Sequence, residues 1–318
     1  MSRIFFASLL LAGACSTSFA AVDSGLLALA PANSQIIAGI DFEGSRSSAF
    51  GQFLLRQMST HDNDLQQLIE QTGFDPRRDL QFLLFTATPS PNSRSQGSFA
   101  VLARGSFDQN RIKAAAQKGG STIQQFQGVD LVVKTNGNGP FAFAFPDVDL
   151  AIAGDLATVR QVIANRSQPT ELDPILQDQV LQVEANSAWF ASLASASSLA
   201  ARVSPPADSA TGRAQVLQSV TRSNGGIDLL SNSDVVFNAE TRSAQDATAL
   251  ADMIRFLSSM AQMQNSNTGQ PAPLATALEG MKLDVAGSAV HMSMHLPEAV
   301  LEQFIATQRQ RPTHNAAH

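Results

Sequence analysis

A faint internal repeat is the feature that most constrains how this chain can fold. Short patterns from the first half recur in the same order in the second half. Each pattern is a predicted strand, a turn that leads into a strand, or a strand followed by a helix. The matched segments are 32–38 with 185–191, 99–117 with 235–263, 126–131 with 278–283, and 149–163 with 291–305.

The repeat predicts an α+β fold of two tandem related units, each an antiparallel sheet with helices packed on one face. The alternative is chance similarity among apolar strand–helix segments. The expected organisation is a signal peptide at 1–20, a first unit at 21–167, a linker with a short helix at 168–184, a second unit at 185–308 and a disordered tail at 309–318.

Local patterns predict the elements of the first unit. Apolar runs indicate strands at 36–43, 80–88 and 97–105, and helical periodicity indicates helices at about 47–58 and 63–72. Asn and Gly residues between 134 and 140 predict a hairpin connection. The run 141–145 then alternates Phe and Ala, which places its three phenylalanines on one face of a strand. In the second unit, Trp189 is expected to be buried in a central strand.

The first twenty residues are typical of a secretory signal peptide. Arg3 carries their only charge, 4–14 is a short apolar run, and Ser18-Phe19-Ala20 resembles a small-x-small cleavage site. We therefore expect a periplasmic or secreted protein. In the alternative, Cys15 becomes the lipidated first residue of a lipoprotein, which is the one route by which we expect a membrane association.

The net charge disfavours two classes of partner. The formal net charge of −6 argues against nucleic acid, because phosphates require a basic footprint, and also against an electrostatic grip on anionic membranes. No motif predicts a cofactor or a metal.

One turn supports a resemblance to a known group. Gly73-Phe74-Asp75-Pro76-Arg77-Arg78-Asp79-Leu80 follows a predicted helix and precedes a strand, and Phe126-Gln127-Gly128-Val129 forms a second turn. Together these segments resemble a group of uncharacterised secreted bacterial proteins, common in acidobacterial genomes, with a tandem α+β domain of unknown function. The resemblance implies a fold over most of 25–305 and no activity.

Two arginines in this turn are a candidate anion contact. Arg77 and Arg78 would bind a carboxylate or phosphate group if their guanidinium groups were free. The simpler interpretation is that they pair with the neighbouring Asp75 and Asp79 and fix the turn.

No residues form a recognisable catalytic motif. His291 and His295 lie on an alternating pattern typical of a strand, which keeps them too far apart to share a metal. His61 is the remaining candidate base, and Asp147 with Asp149 form a carboxylate pair on a predicted strand edge. A hydrolase with an unrecognised site is therefore the third hypothesis, and an enzyme is not expected.

The predicted helix at 243–263 carries more apolar surface than packing on one sheet requires. Beside its core-facing stripe lies a second stripe made of Met253, Phe256, Met260 and Met263. Because methionine-rich surfaces adapt to varied partners, this stripe is a candidate ligand or partner surface. The first hypothesis is an exported, non-catalytic binding or scaffold protein of the cell envelope that binds a protein partner. The alternative is a carrier of a lipid or other apolar ligand in a pocket lined by this helix.

The mass of the exported protein tests the signal peptide. Expression with export to a bacterial periplasm should give a protein that begins at Ala21, because cleavage follows Ala20. Intact mass spectrometry measures this N-terminus. A mass corresponding to an acylated chain beginning at Cys15 would contradict the prediction.

Overall fold

The computed structural model describes residues 23–48, 51–52, 63–90, 97–136, 139–195, 211–229, 233–266, 277–297 and 300. The described residues therefore come from both halves of the chain. The predicted helix at about 47–58, His61 and the predicted tail at 309–318 lie wholly or mainly outside the described residues.

Twelve strands form the framework. The first seven are β1 (Ile36–Asp41), β2 (Leu80–Thr88), β3 (Ser98–Gly105), β4 (Thr122–Phe126), β5 (Val129–Asn136), β6 (Gly139–Ala144) and β7 (Leu150–Asp155). The others are β8 (Ala188–Ser192), β9 (Val220–Asp228), β10 (Asp234–Thr241), β11 (Lys282–Ala286) and β12 (Ala289–His295).

Nine helices connect or flank these strands within the described ranges. They are α1 (Ser24–Leu27), α2 (Phe42–Ser45), α3 (Asn63–Thr72), α4 (Pro76–Asp79), α5 (Gln109–Lys118), α6 (Leu156–Asn165), α7 (Pro174–Leu181), α8 (Thr211–Ser219) and α9 (Ala244–Ser266). Within these ranges, none of the helices combines the length and the hydropathy of a membrane-spanning segment.

All twelve strands belong to one antiparallel sheet, in the order β11-β12-β10-β9-β8-β1-β2-β3-β7-β6-β5-β4. The α+β class is therefore confirmed. Strands from the first half lie on one side of the β1–β8 pair, and strands from the second half lie on the other.

The β1–β8 pair joins the two sides of the sheet. Gly39 lies opposite Trp189, and the hydrogen bonds continue past the strand ends, where the Asp41 N–H donates to Ser187 O at 2.8 Å. Trp189 is 4% exposed, which confirms its predicted burial. A Cβ atom on Gly39 would lie 2.6 Å from the indole Nε1, so only glycine leaves room for the ring.

The larger core lies on one face of the sheet, which we call the core face. Val159, Val162 and Ile163 of α6 and Leu176 of α7 are buried there with sheet residues such as Ile152. The predicted linker helix at about 173–183 is thus an integral part of this core, since Leu176 and Val180 are almost fully buried.

Helices also pack on the opposite face, contrary to the prediction that each unit carries helices on one face. Lys113 of α5 binds Asp130 at 3.0 Å, and Asp130 points away from its core neighbour Leu131. In the second half, α9 packs on that same opposite face through a cluster containing Leu250 and Val290. Helices supply apolar stripes to both faces of the sheet. Local sequence patterns do not tell which of the two faces a given helix covers.

Several local predictions are confirmed. β2 spans Leu80–Thr88 as predicted, and α3 ends at Thr72 before Gly73, whose φ of 74° suits a helix stop.

Aspartates at 108, 155 and 173 accept hydrogen bonds from the first backbone N–H groups of α5, α6 and α7, which fixes where those helices begin.

The fit of Trp189 over Gly39 gives a stability prediction. Gly39→Ala should destabilise the protein by about 1–3 kcal/mol, because the added methyl group overpacks the indole. Chemical denaturation measures the change, and Gly280→Ala, where the nearest atom lies 3.6 Å away, is the matched control.

A double-mutant cycle identifies the cause. In a Trp189→Phe background the cost of Gly39→Ala should fall, because the smaller ring vacates the space that the methyl group needs. An equal cost in both backgrounds would contradict this account of the β1–β8 junction.

Candidate functional site

An uninterrupted row of uncharged side chains crosses the face of the sheet opposite the core face. Directly paired residues of an antiparallel sheet lie on the same face, so the register defines the row. We call it the apolar row. Its members, from β4 to β11, are Ile123, Val132, Phe143, Ala153, Val101, Phe85, Ala38, Phe190, Gly225, Phe237, Met292 and Leu283.

A second uncharged row runs beside it over the central strands. Ile40 pairs with Leu83 on one side and with Ala188 on the other. Ile227 and Val235 continue this row into the second half. The central strands therefore carry two adjacent rows without a charged side chain.

Part of this face is accessible to solvent. Ile40 is 40% exposed and Phe85 is 37% exposed, although both lie on central strands of a twelve-stranded sheet. Phe85 stacks on Phe99 with ring centroids 6.3 Å apart, and Phe190 lies 6.3 Å from Phe237. The aromatic rings thus form a flat, apolar and partly open surface.

The alternating Phe and Ala residues of β6 extend this surface toward one end of the sheet. Ala142 and Ala144 are fully buried in the core, whereas Phe141 is 37% exposed on the other face. Phe143 and Phe145 pack against each other with ring centroids 5.9 Å apart. The three phenylalanines do share a face, as predicted, but it is the face opposite the main core.

The methionine stripe of α9 divides between the interior and the surface. Met253 and Ile254 pack against the buried cluster under the helix. Phe256 is 56% exposed and Met263 is 61% exposed, while Met260 is half-buried. Of the four residues predicted as a ligand or partner surface, Phe256 and Met263 therefore lie on the outer side of the helix, Met260 is half-buried and Met253 contacts the sheet-side cluster.

The two candidate anion-binding arginines bind neighbouring carboxylates. Arg77 donates from Nε and Nη2 to the two oxygens of Asp75, at 2.8 and 2.7 Å. Arg78 binds both oxygens of Asp79, at 2.6 and 2.8 Å. The arrangement matches the simpler interpretation, in which these pairs fix the turn formed by α4.

These ion pairs change the pKa values of the two aspartates instead of forming a ligand site. The Arg78 guanidinium lowers the pKa of Asp79 below its ordinary value, against an opposing effect of burial. Arg77 lowers the pKa of Asp75 in the same way. Asp79 also accepts the Asp75 N–H at 2.8 Å, which closes the turn.

The remaining candidate residues are held in separate structural contacts. Asp149 binds Arg104 at 3.2 Å, and Asp147 binds Arg166 at 3.0 Å. His295 lies 3.1 Å from Asp234. Among the residues that the structure describes, no three His, Cys, Asp or Glu side chains come together as metal ligands.

A ladder of amides on the core face of the second half was not predicted. Asn224 donates to Gln179 and Gln182 of α7, each at 2.9 Å, and Asn238 donates to Asn224 at 2.7 Å. His291 Nδ1 then hydrogen-bonds the side-chain amide oxygen Oδ1 of Asn238. Asn224 is fully buried, so the ladder satisfies a polar group that would otherwise destabilise the fold. The one sequence signal was the presence of asparagines at inward positions of two strands.

Comparison with known proteins yields similarity of fold alone. No family model matches the chain, and neither does a curated protein. The crystal structure of TP0453 in form III matches with a TM-score of 0.53 and 9% identity, over 88% of this chain and 97% of that one. Forms IV and I of TP0453 give TM-scores of 0.49, also at 9% identity, and cover 88% and 89% of this chain and 96% of theirs.

The Arg78–Asp79 pair predicts a stability change in acid. A carboxylate whose pKa is lowered in the folded state stabilises the protein above its unfolded pKa of about 3.9, and that contribution is lost as the pH falls through the folded value. The free energy of unfolding should therefore decrease between about pH 5 and pH 2.

The variant Asp79→Asn should cost about 1–3 kcal/mol at neutral pH and show a smaller loss on acidification. Urea unfolding across this pH range measures both effects. Asp284→Asn, at an exposed position of β11, is the control for the change in charge. An unchanged pH dependence in Asp79→Asn would contradict the assignment.

Proposed function

We propose that this chain is an exported, non-catalytic binding protein of the bacterial cell envelope, which binds a protein partner through the apolar row. The proposal combines the signal-like N-terminus with the surface on the central strands. It assigns no catalytic role to any residue.

The exposed aromatic surface on central strands is the observation that carries the proposal. Apolar side chains scattered singly on a surface need no explanation, but contiguous exposed patches mark interaction sites. Ile40 and Phe85 are adjacent to each other across neighbouring strands, and Phe141 extends the same face. A flat surface of aromatic and aliphatic side chains without charge suits the buried centre of a protein interface.

The edges of the sheet offer a second route for the same partner class. The described sheet ends at β4, where Ile123 is 39% exposed, and at β11, where Val285 is 39% exposed. Edge strands present unpaired backbone groups to which another strand can add. α5 and α9 pack on this face near the two ends of the sheet, so a partner strand would add through the edge backbone and not over the apolar row.

We also propose that the two sides of the sheet are tandem related units. Three of the four matched segments fall on β1 and β8, on β3 and β10, and on β7 and β12. Moving outward from the central pair, the orders β1-β2-β3-β7 and β8-β9-β10-β12 place these strands at equivalent positions, whereas the match of 126–131 with 278–283 places β5 sixth and β11 fifth. This correspondence also supports the resemblance to secreted tandem α+β proteins.

A carrier of an apolar ligand is the second candidate, favoured by the same uncharged surface. Its site would be the apolar row rather than a pocket beneath α9, because Phe256 and Met263 point away from the sheet-side cluster. Either occupant would cover Phe85.

Photo-crosslinking distinguishes these candidates. p-Benzoylphenylalanine in place of Phe85 should give an adduct with the mass of a protein when cells that export the chain are irradiated, because Phe85 lies at the centre of the row. The same group at Val148, which is 83% exposed between β6 and β7, is the control and should give none.

Adducts of lipid mass at position 85 would instead favour the carrier. No adduct at position 85, or equal labelling at both positions, would refute a binding role for this face.

A further inference from the structure

Methionine is concentrated in one part of the second half of the chain. Six of the eight methionines lie between positions 253 and 294. Two of these six, Met292 and Met294, belong to β12, and Met281 directly precedes β11. Because the methionine sulfur is a soft and uncharged ligand, the arrangement of these three side chains decides whether they can bind an ion.

The register of β11 and β12 brings the three methionines onto one face of the sheet. Met292 and Met294 are two positions apart on β12, so they point to the same face at a separation of about 6.7 Å. Leu283 of β11 pairs with Met292. One residue beyond the last pair of β11, this register places Met281 opposite Met294, where directly paired Cβ atoms lie about 4.5–5.5 Å apart. The three side chains therefore start from the corners of a small triangle.

The contacts of α9 show which face this is. The hydroxyl group of Ser258 on α9 donates a hydrogen bond to Sδ of Met281 at 3.7 Å. The helix packs against β11 and β12 on the face opposite the core face, which is also the face of Met292 in the apolar row. Met281, Met292 and Met294 are each half-buried. Their sulfur atoms therefore lie beside the helix at positions that an ion from solvent can reach.

The surroundings of this triangle are uncharged. On β10, Phe237 lies opposite Met292 and Val235 lies opposite Met294. Asp284 of β11 points to the other face, since it is one position away from Leu283. A divalent ion in this place would be partly buried among neutral ligands without a carboxylate to balance its charge, which is costly. Thioether ligands instead favour the soft monovalent ion Cu(I).

We propose that Met281, Met292 and Met294 form a binding site for one monovalent copper ion. Each side chain has three rotatable bonds, which allows the three sulfur atoms to turn toward one point. The hydrogen bond from Ser258 helps to orient the sulfur of Met281. This site goes beyond the binding of a protein partner and does not depend on it, since it requires neither a partner nor the exposed central strands.

Nuclear magnetic resonance of the methionine methyl groups tests which side chains bind. The exported protein is labelled with ¹³C-methyl methionine in a Cys15→Ser background, which removes the one thiol of the chain. Ag(I) serves as the redox-stable probe for Cu(I). One equivalent should shift the methyl resonances of Met281, Met292 and Met294, which single substitutions by leucine assign. The resonance of Met263, which is 61% exposed on the outer side of α9, should not move.

Competition with a coloured Cu(I) chelator under anaerobic conditions measures the affinity. The protein should bind one Cu(I) per chain, and Met294→Leu should weaken binding at least about tenfold. Leucine keeps the volume and apolar character of the side chain, so the fold is retained while a ligand is lost. Met263→Leu is the matched control and should bind Cu(I) as the unsubstituted chain does.

The pH dependence separates thioether from imidazole ligands. Thioethers take up no proton near neutral pH, so the Cu(I) affinity should be equal at pH 7 and at pH 5.5. An affinity that falls in acid would assign the ion to His291 and His295 on the other face of β12, and would overturn the proposal. Equal affinities of Met294→Leu and the unsubstituted chain would also overturn it, as would methyl resonances that one equivalent of Ag(I) leaves unchanged.

Discussion

The antiparallel pairing of β1 with β8 is the contact on which the rest of the structure depends. It joins strands from the two halves of the chain into one sheet, and its register places Gly39 under the indole of Trp189. The indole ring fills the space that a side chain at position 39 would occupy, and Trp189 belongs to the same buried core as Leu176 and Val180 of α7. A shift of the pairing by one residue would move Trp189 to the opposite face, where it would lose this burial.

The same register makes the surface of the opposite face continuous. Ala38 pairs with Phe85 on one side and Phe190 on the other, so the apolar row crosses from one half into the other without a break. The helices that pack on this face, α5 and α9, contact strands nearer the two ends of the sheet. An open aromatic surface is therefore left on the central strands, and its position follows from how the halves join rather than from either half alone.

Much of the local structure could be predicted from the sequence, whereas the sheet face on which each helix or side chain lies could not. The apolar run at 80–88 defined β2, and periodicity defined α3, because these patterns depend on neighbouring residues. The alternation at 141–145 correctly separated Phe from Ala but did not tell which face meets the core. There the small Ala142 and Ala144 let α6 pack closely, and the larger Phe141 remains partly exposed.

The candidate surfaces depended on long-range pairing, which no local pattern encodes. The methionine stripe of α9 was visible in the sequence, but which of its residues face outward depends on how the helix packs on β10 and β12. Hydrogen exchange of the β1 and β8 amides tests the central claim most directly, namely that the halves share one sheet. The account predicts that Ile36–Asp41 and Ala188–Ser192 exchange as slowly as β2 and β9. Rapid exchange in these two segments, with β3 and β10 still protected, would contradict it.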